Sequence, residues 1–194
     1  MCQFLESIKL QDGILYHLDW HQKRVDETFR ENFKLSKALN LKDILQNQEI
    51  PVAGLFKVRI TYSSTDYKVE ISSYQARKIE SFSLVETDYK YPFKSTKRAF
   101  LNKALAHATT DEVIFCKDGY LTDSTYANVV LYDGESWFTP QTFLLNGTTR
   151  QRLLSENKIK ETSIHRDDLH QFQKIGFINA LNDLGAQIIN LNAL

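Results

Sequence analysis

Apolar and polar side chains alternate along residues 3–10 and again along 14–18, the period of strands with one buried face. Gln11-Asp12-Gly13 separates the two runs, and Asp-Gly between alternating segments signals a tight hairpin. The period then lengthens. Val25, Phe29 and Phe33 recur at every fourth position, which predicts a helix buried along that stripe, with Asp19 as its N-cap. A second helix is predicted over 41–48. Residues 55–63 and 67–74 have the pattern of another hairpin, turning at Ser63-Ser64-Thr65-Asp66, and 81–87 reads as one more strand. Alternation stops at Tyr74-Gln75-Ala76-Arg77-Lys78, where polar residues gather, and a linker is expected there.

The second half repeats the mixture. Thr96 is placed to cap a helix over 97–108, with Leu101, Ala104, Leu105 and Ala108 on one face. Strands are predicted at 112–116, 120–124, 127–132 and 136–139, separated by Lys117-Asp118-Gly119 and Asp133-Gly134. A helix follows over 148–156, and shorter elements near 166–171, 174–179 and 186–191. Strands arrive as antiparallel hairpins and not as a regular βαβ alternation, so the fold class is α+β. Two domains are expected, a small one over 1–76 and a larger one over 77–194.

Composition narrows the function classes. With 24 basic and 24 acidic side chains in 194 residues, the formal charge is zero, which argues against a general nucleic-acid or anionic-membrane surface. No apolar run approaches the roughly 18 residues of a membrane span. Met1-Cys2-Gln3-Phe4-Leu5-Glu6 lacks the regions of a signal peptide, and Cys2 and Cys116 form no CxxC; both point to a cytoplasmic protein with reduced thiols. The five histidines have no HxxxH or HExxH spacing, which argues against a catalytic metal, and no GxSxG, P-loop or GxGxxG occurs.

A few residues stand out chemically. Lys94, in Tyr91-Pro92-Phe93-Lys94-Ser95-Thr96, is either a solvated lysine or an amine in a partly dry aromatic setting, able to attack a carbonyl. Asp123 falls mid-strand in Leu121-Thr122-Asp123-Ser124, where an acid is costly to bury unpaired. It is either solvent-facing or matched by something cationic, such as a protonated pyridine nitrogen. Gly147-Thr148-Thr149-Arg150 opens a helix whose N–H groups and threonine hydroxyls suit a phosphate; ordinary capping by Thr148 is the alternative. Arg24 lies one residue off the first helix's apolar stripe and could reach inward to the same phosphate. Lys97 and Arg98 open the third predicted helix against its dipole, a hint of an anion nearby.

Taken in order, these pieces resemble the fold-type IV pyridoxal-phosphate enzymes, which include branched-chain and D-amino-acid aminotransferases and 4-amino-4-deoxychorismate lyase. The similarity runs through His21-Gln22-Lys23-Arg24, Phe56-Lys57-Val58-Arg59-Ile60, Lys94, Asp111 to Phe115, Gly119 to Asn128, Phe138-Thr139-Pro140, Leu145 to Arg150 and Ile178-Asn179-Ala180. The resemblance implies that Lys94 holds the cofactor and shuttles protons. Asp123 would keep the pyridine nitrogen protonated, a position where most relatives have glutamate. It also implies that Arg24 and the backbone of Gly147, Thr148 and Thr149 bind the phosphate. Asn179 and Ala180 would border phosphate and substrate, and Arg98 would stand near the cofactor's phenolic oxygen. The lysine, the acid and the phosphate turn would all belong to the larger domain.

The resemblance further implies a homodimer. It favours a lyase that forms 4-aminobenzoate and pyruvate for folate synthesis. An aminotransferase for a small amino acid is the second reading, and a non-catalytic relative that binds cofactor is the third. The chain is shorter than typical members, which implies trimmed loops over the substrate. Lys97 stands where short relatives carry an acid.

Overall fold

The computed structural model describes residues 3–193. They form two compact units: one from the residues up to Ala76 together with Phe93–Lys97, the other from Arg77–Pro92 and from Arg98 onward.

In the first unit, strand β1 (Phe4–Gln11) turns through Asp12 and Gly13, both at positive φ, into the short β2 (Ile14–Leu15). This is the turn that the Asp-Gly pair predicts. β2 stops short of residue 18 because His17 adopts a left-handed conformation (φ 56°) and diverts the chain into helix α1 (Leu18–Thr28). His17, and not Asp19, is therefore the N-cap, and it makes no side-chain capping bond. Asp19 sits in the first turn, where its charge suits the helix dipole.

α1 passes into one π-helical turn at Phe29–Phe33, ended by Lys34 at φ 59°. Helix α2 covers only Leu41–Leu45, capped by Asn40 Oδ1, which accepts from the N–H groups of Lys42 and Asp43. Strands β3 (Leu55–Tyr62) and β4 (Tyr67–Ser73) form the second predicted hairpin. Its turn is tightened by Ser63 Oγ, which accepts from Thr65 N and Asp66 N. The sheet order is β2-β1-β3-β4, antiparallel throughout. Val25, Phe29, Leu41, Ile44 and Leu45 from the helical segments pack with Ile8, Leu10, Val58 and Ile60 from the sheet.

β2 covers only the Leu10–Gln11 end of β1. The other end is covered by the returning segment Phe93–Lys97. Leu5 N–H donates to Lys94 O (2.8 Å), Phe4 bridges Ser95, and Thr96 N–H donates to Gln3 O (2.9 Å). Phe93 joins the same core, edge-on to Phe4. Lys94 thus belongs to the first unit, whereas the sequence reading assigns it to 77–194. The physical reason is the exposed edge of β1, whose N–H and C=O groups need partners.

In the second unit, β5 (Phe82–Glu86), helix α3 (Ala99–His107) and β6 (Glu112–Lys117) precede β7 (Tyr120–Ser124), β8 (Asn128–Tyr132) and β9 (Trp137–Pro140). Helix α4 (Thr148–Ser155), β10 (Lys160–Thr162), a 3₁₀ segment at Arg166–Gln171, β11 (Lys174–Ile178) and β12 (Ile188–Asn190) complete it. The sheet order is β10-β9-β8-β7-β6-β5, with β11 paired to β8 and β12 to β11. Only the β5–β6 and β9–β10 pairs are parallel. Thr96 does not cap α3, since its hydroxyl donates to Gln3 O in the first unit. Arg98 holds the N-cap position instead, so Lys97 and Arg98 precede the helix and do not burden its first turn. β10 has no counterpart in the sequence reading.

The α+β class is as expected. Among the described residues, no helix is long and apolar enough to cross a membrane, and no cluster of His, Cys, Asp and Glu could hold a metal.

Candidate active site

In the first unit, the inward-facing register of β1 carries Phe4, Glu6, Ile8 and Leu10, all buried. A carboxylate in an apolar register needs a partner, and α1 supplies two. Arg24 Nε donates to Glu6 Oε1 (2.8 Å), and its Nη2 donates to Glu6 Oε2. His21 Nδ1 donates to the same Oε2 (2.6 Å). The i, i+3 spacing of His21 and Arg24 puts both on the α1 face that meets the strand.

Burial alone would raise the Glu6 pKa. The Arg24 charge and the two hydrogen-bonding partners outweigh it and hold the carboxyl down to about 2. For His21 the balance is reversed. Its burial disfavours the cation more strongly than Glu6 favours it, and the charges of Arg24 and Lys94 push in the same direction, so its pKa is lowered. The triad is an ionised acid, a guanidinium and an imidazole kept neutral. Tyr62 lies alongside, its phenol held un-ionised by burial first and then by the Glu6 charge. Arg24, expected at the edge of the core, is almost wholly buried, its guanidinium plane fixed by Glu6.

In the second unit, Asp123 is buried near the end of β7, and Asn128 opens β8 directly opposite it. Asn128 Nδ2 donates to Asp123 Oδ1 (2.7 Å) and to Leu145 O (2.9 Å). Asp123 Oδ2 accepts from the N–H groups of Leu144 (3.0 Å) and Leu145 (2.7 Å). Its burial rules out the solvent-facing alternative, and within the chain the acid is matched by neutral donors. Those donors only partly offset burial, which remains the dominant effect and pushes the Asp123 pKa up to about 7. The positive charge of Arg150 also bears on it, in the lowering direction.

The loop that Asp123 holds leads into α4. Gly147 is the N-cap of that helix, and Thr148 and Thr149, both buried, are its first residues, so Thr148 is not itself the cap. The first intrahelical bond runs from Gln151 N–H to Gly147 O. The N–H groups of Thr148, Thr149 and Arg150 consequently have no acceptor within the helix. A Cβ at Gly147 would stand 2.1 Å from Asn128 Oδ1, so the turn approaches β8 as only glycine can. Arg150 secures the loop from the other side. Its Nη1 donates to Asn146 Oδ1 (3.1 Å), and its Nη2 donates to Pro140 O (3.0 Å) and to Glu161.

The remaining predicted residues gather around the Ser124–Ala127 turn between β7 and β8. Arg98 Nη2 donates to Thr125 O, and its guanidinium lies 4.5 Å from the Tyr126 ring centroid. Buried Glu112 accepts from Thr125 N–H and its hydroxyl and pairs with Arg77. Asn179 follows β11, whose last residue Ile178 is in register with Asn128. Its Oδ1 accepts from Leu181 N and Asn182 N, which makes a tight turn containing Ala180, and its Nδ2 donates to Tyr126 O (3.4 Å).

The second unit thus brings together Asp123, Gly147, Thr148, Thr149, Arg98, Asn179 and Ala180. The first unit brings together Arg24 and the segment of Lys94. The sequence reading missed Glu6 and Asn128. Glu6 had a signal: it is the one charged residue in the apolar register of β1. Asn128 had none that is local, since its role comes from pairing across β7 and β8.

This chain belongs to the class IV amino-transferase family, whose pattern matches residues 3–186. The match and the fold make it an enzyme of lyase or aminotransferase type. It is 31% identical over 188 residues to an uncharacterised protein of Haemophilus influenzae, across 95% of this chain and 100% of that one. The crystal structure of a provisionally named 4-amino-4-deoxychorismate lyase from Haemophilus somnus has a TM-score of 0.87 at 28% identity, covering 95% of this chain and 98% of the other. A hypothetical aminotransferase from Mycobacterium tuberculosis, in its PLP-bound form, shares the fold with a TM-score of 0.77 at 18% identity, over 96% and 80% of the two chains.

Proposed function

We propose that this protein is a pyridoxal-phosphate-dependent lyase that converts 4-amino-4-deoxychorismate to 4-aminobenzoate and pyruvate. The observation that carries the reading is the 28% identity, at nearly full length in both chains, to the Haemophilus somnus protein provisionally named for that activity. The residues present suit the cofactor. Asp123 is buried with its pKa raised to about 7, so a cationic pyridinium beside it would favour its ionised form. The Gly147 turn has no room for a Cβ and opens a helix whose N–H groups suit a phosphate. Bound pyridoxal phosphate supplies a carbonyl for covalent attachment and an electron sink.

The roles assigned to the chain are these. Lys94 Nζ would hold the cofactor covalently, and as a free amine it would take a proton from the substrate and return one to the departing enolpyruvyl group. Asp123 holds the proton on the pyridine nitrogen. Arg24 and the backbone N–H groups from Gly147 to Thr149 bind the phosphate. Asn179 and Ala180 border the phosphate and substrate, and Arg98 approaches the phenolic oxygen.

The test is direct. Purified protein incubated with pyridoxal phosphate should gain a visible absorbance band that Lys94→Ala lacks. It should then release pyruvate from aminodeoxychorismate with no keto acid added. A band that is lost with an amino acid and restored by a 2-keto acid, without pyruvate release, would replace the lyase reading with an aminotransferase. A protein that does neither would refute both.

A further inference from the structure

We propose that Asn128 is a positioning residue that ties the acid for the pyridine nitrogen to the turn for the phosphate, setting the spacing between the two ends of the cofactor cradle. The proposal rests on the cofactor reading above. Its basis is one side chain reaching three places. Both Nδ2 hydrogens are engaged, one on Asp123 Oδ1 (2.7 Å) and one on Leu145 O (2.9 Å). Its carbonyl oxygen abuts Gly147, where an added Cβ would lie 2.1 Å away.

Leu145 is held from both of its backbone polar groups, its N–H by Asp123 and its C=O by Asn128. The acid, the amide and the loop form a closed ring of hydrogen bonds at Leu145, two residues before Gly147. The loop has no regular structure of its own between β9 and α4, so these bonds, together with those of Arg150 to Asn146 and Pro140 O, hold it in place. A shift of Asn128 would move Asp123 and the turn relative to each other.

The backbone of Gly147 sharpens the test. At φ −66° and ψ 149° it is a conformation any residue adopts, so the objection to a side chain there is the Asn128 oxygen and not strain. Gly147→Ala should therefore lower the melting temperature of the cofactor-free protein strongly in the natural background. In an Asn128→Ala background, which empties that space, it should do so only weakly. Equal damage in both backgrounds would overturn the proposed geometry.

Asn128→Ala alone should weaken pyridoxal-phosphate binding by roughly tenfold to a hundredfold, the usual range for a lost hydrogen bond to a charged group. It should also shift the pH midpoint of the visible band, since Asp123 loses a donor. A lower melting temperature with unchanged affinity and unchanged midpoint would reduce Asn128 to a structural residue and overturn the positioning role. If the natural protein bound no pyridoxal phosphate at all, the cofactor reading would fail and this role with it. The melting-temperature cycle, run without cofactor, would still judge the geometry separately.

Discussion

Glu6 in the first unit and Asp123 in the second are both buried strand carboxyl groups, and the two are held in opposite ways. Glu6 meets a guanidinium and an imidazole and titrates at about 2. Asp123 meets an amide and two backbone N–H groups and titrates at about 7. Both are deeply buried, so burial does not distinguish them. The difference is a formal positive charge in direct contact with Glu6, against neutral dipoles around Asp123. Glu6 is electrically complete within its own unit. Asp123 has no such charge in contact, so a cation placed beside it would favour its ionised form.

The largest expected effect breaks the comparison at Glu6. Glu6→Gln strands the buried Arg24 without its counter-charge and should destabilise the protein by about 3–5 kcal/mol in urea unfolding. The double variant Glu6→Gln/Arg24→Met should recover part of that loss, because no buried charge is then left unpaired. A single variant as stable as the natural protein would show that the ion pair adds nothing.

Asp123→Asn should cost less in stability, about 1–2 kcal/mol, because the new amide sets a donor against the Asn128 donor without stranding a charge. Its effect on chemistry should be greater. Turnover with bound pyridoxal phosphate should fall by roughly a hundredfold, measured as pyruvate release, since the asparagine cannot hold the pyridine nitrogen protonated as a carboxylate does. Unchanged turnover would remove Asp123 from the proposed mechanism.

The smallest effect is the pH dependence of melting temperature in the cofactor-free protein, and here the two acids have opposite signs. The Glu6 pKa is depressed from 4.5, so its stabilisation is present above that pH and is lost as pH falls toward 2. The Asp123 pKa is raised from 3.8, so its contribution is full below that pH and is lost as pH rises through 7. Asp123→Asn should therefore flatten the decline between about pH 4 and 7, and Glu6→Gln should flatten only the acid limb. A melting profile of Asp123→Asn that keeps the natural slope between pH 4 and 7 would contradict the assignment.

Strands and hairpins were readable because their signals are local. Asp12-Gly13 and the Ser63–Asp66 turn act within a few residues, and both form as expected. Helix starts were harder. His17 and Arg98 hold the N-cap positions of α1 and α3 without a side-chain capping bond, so no capping residue marks either position. The site was legible as a set of residue types but not as a network. Asp123 meets Leu144 and Leu145, 21 and 22 positions along the chain, and Lys94 pairs with Leu5 across a still longer separation. No periodicity reports such pairings, because β-edge pairing and loop docking are decided by tertiary structure.

The return of Phe93–Lys97 to the first unit has a consequence for how such a chain can be inherited. The polypeptide passes between the units at residues 76–77, 92–93 and 97–98, so neither unit is one uninterrupted stretch of coding sequence. A recombination joint at codon 77 would carry Lys94 and Ser95 away from Leu5 and Phe4, the strand residues that pair with them. Exchange of the two halves between related genes would therefore have to preserve the match between a five-residue insertion and a distant strand.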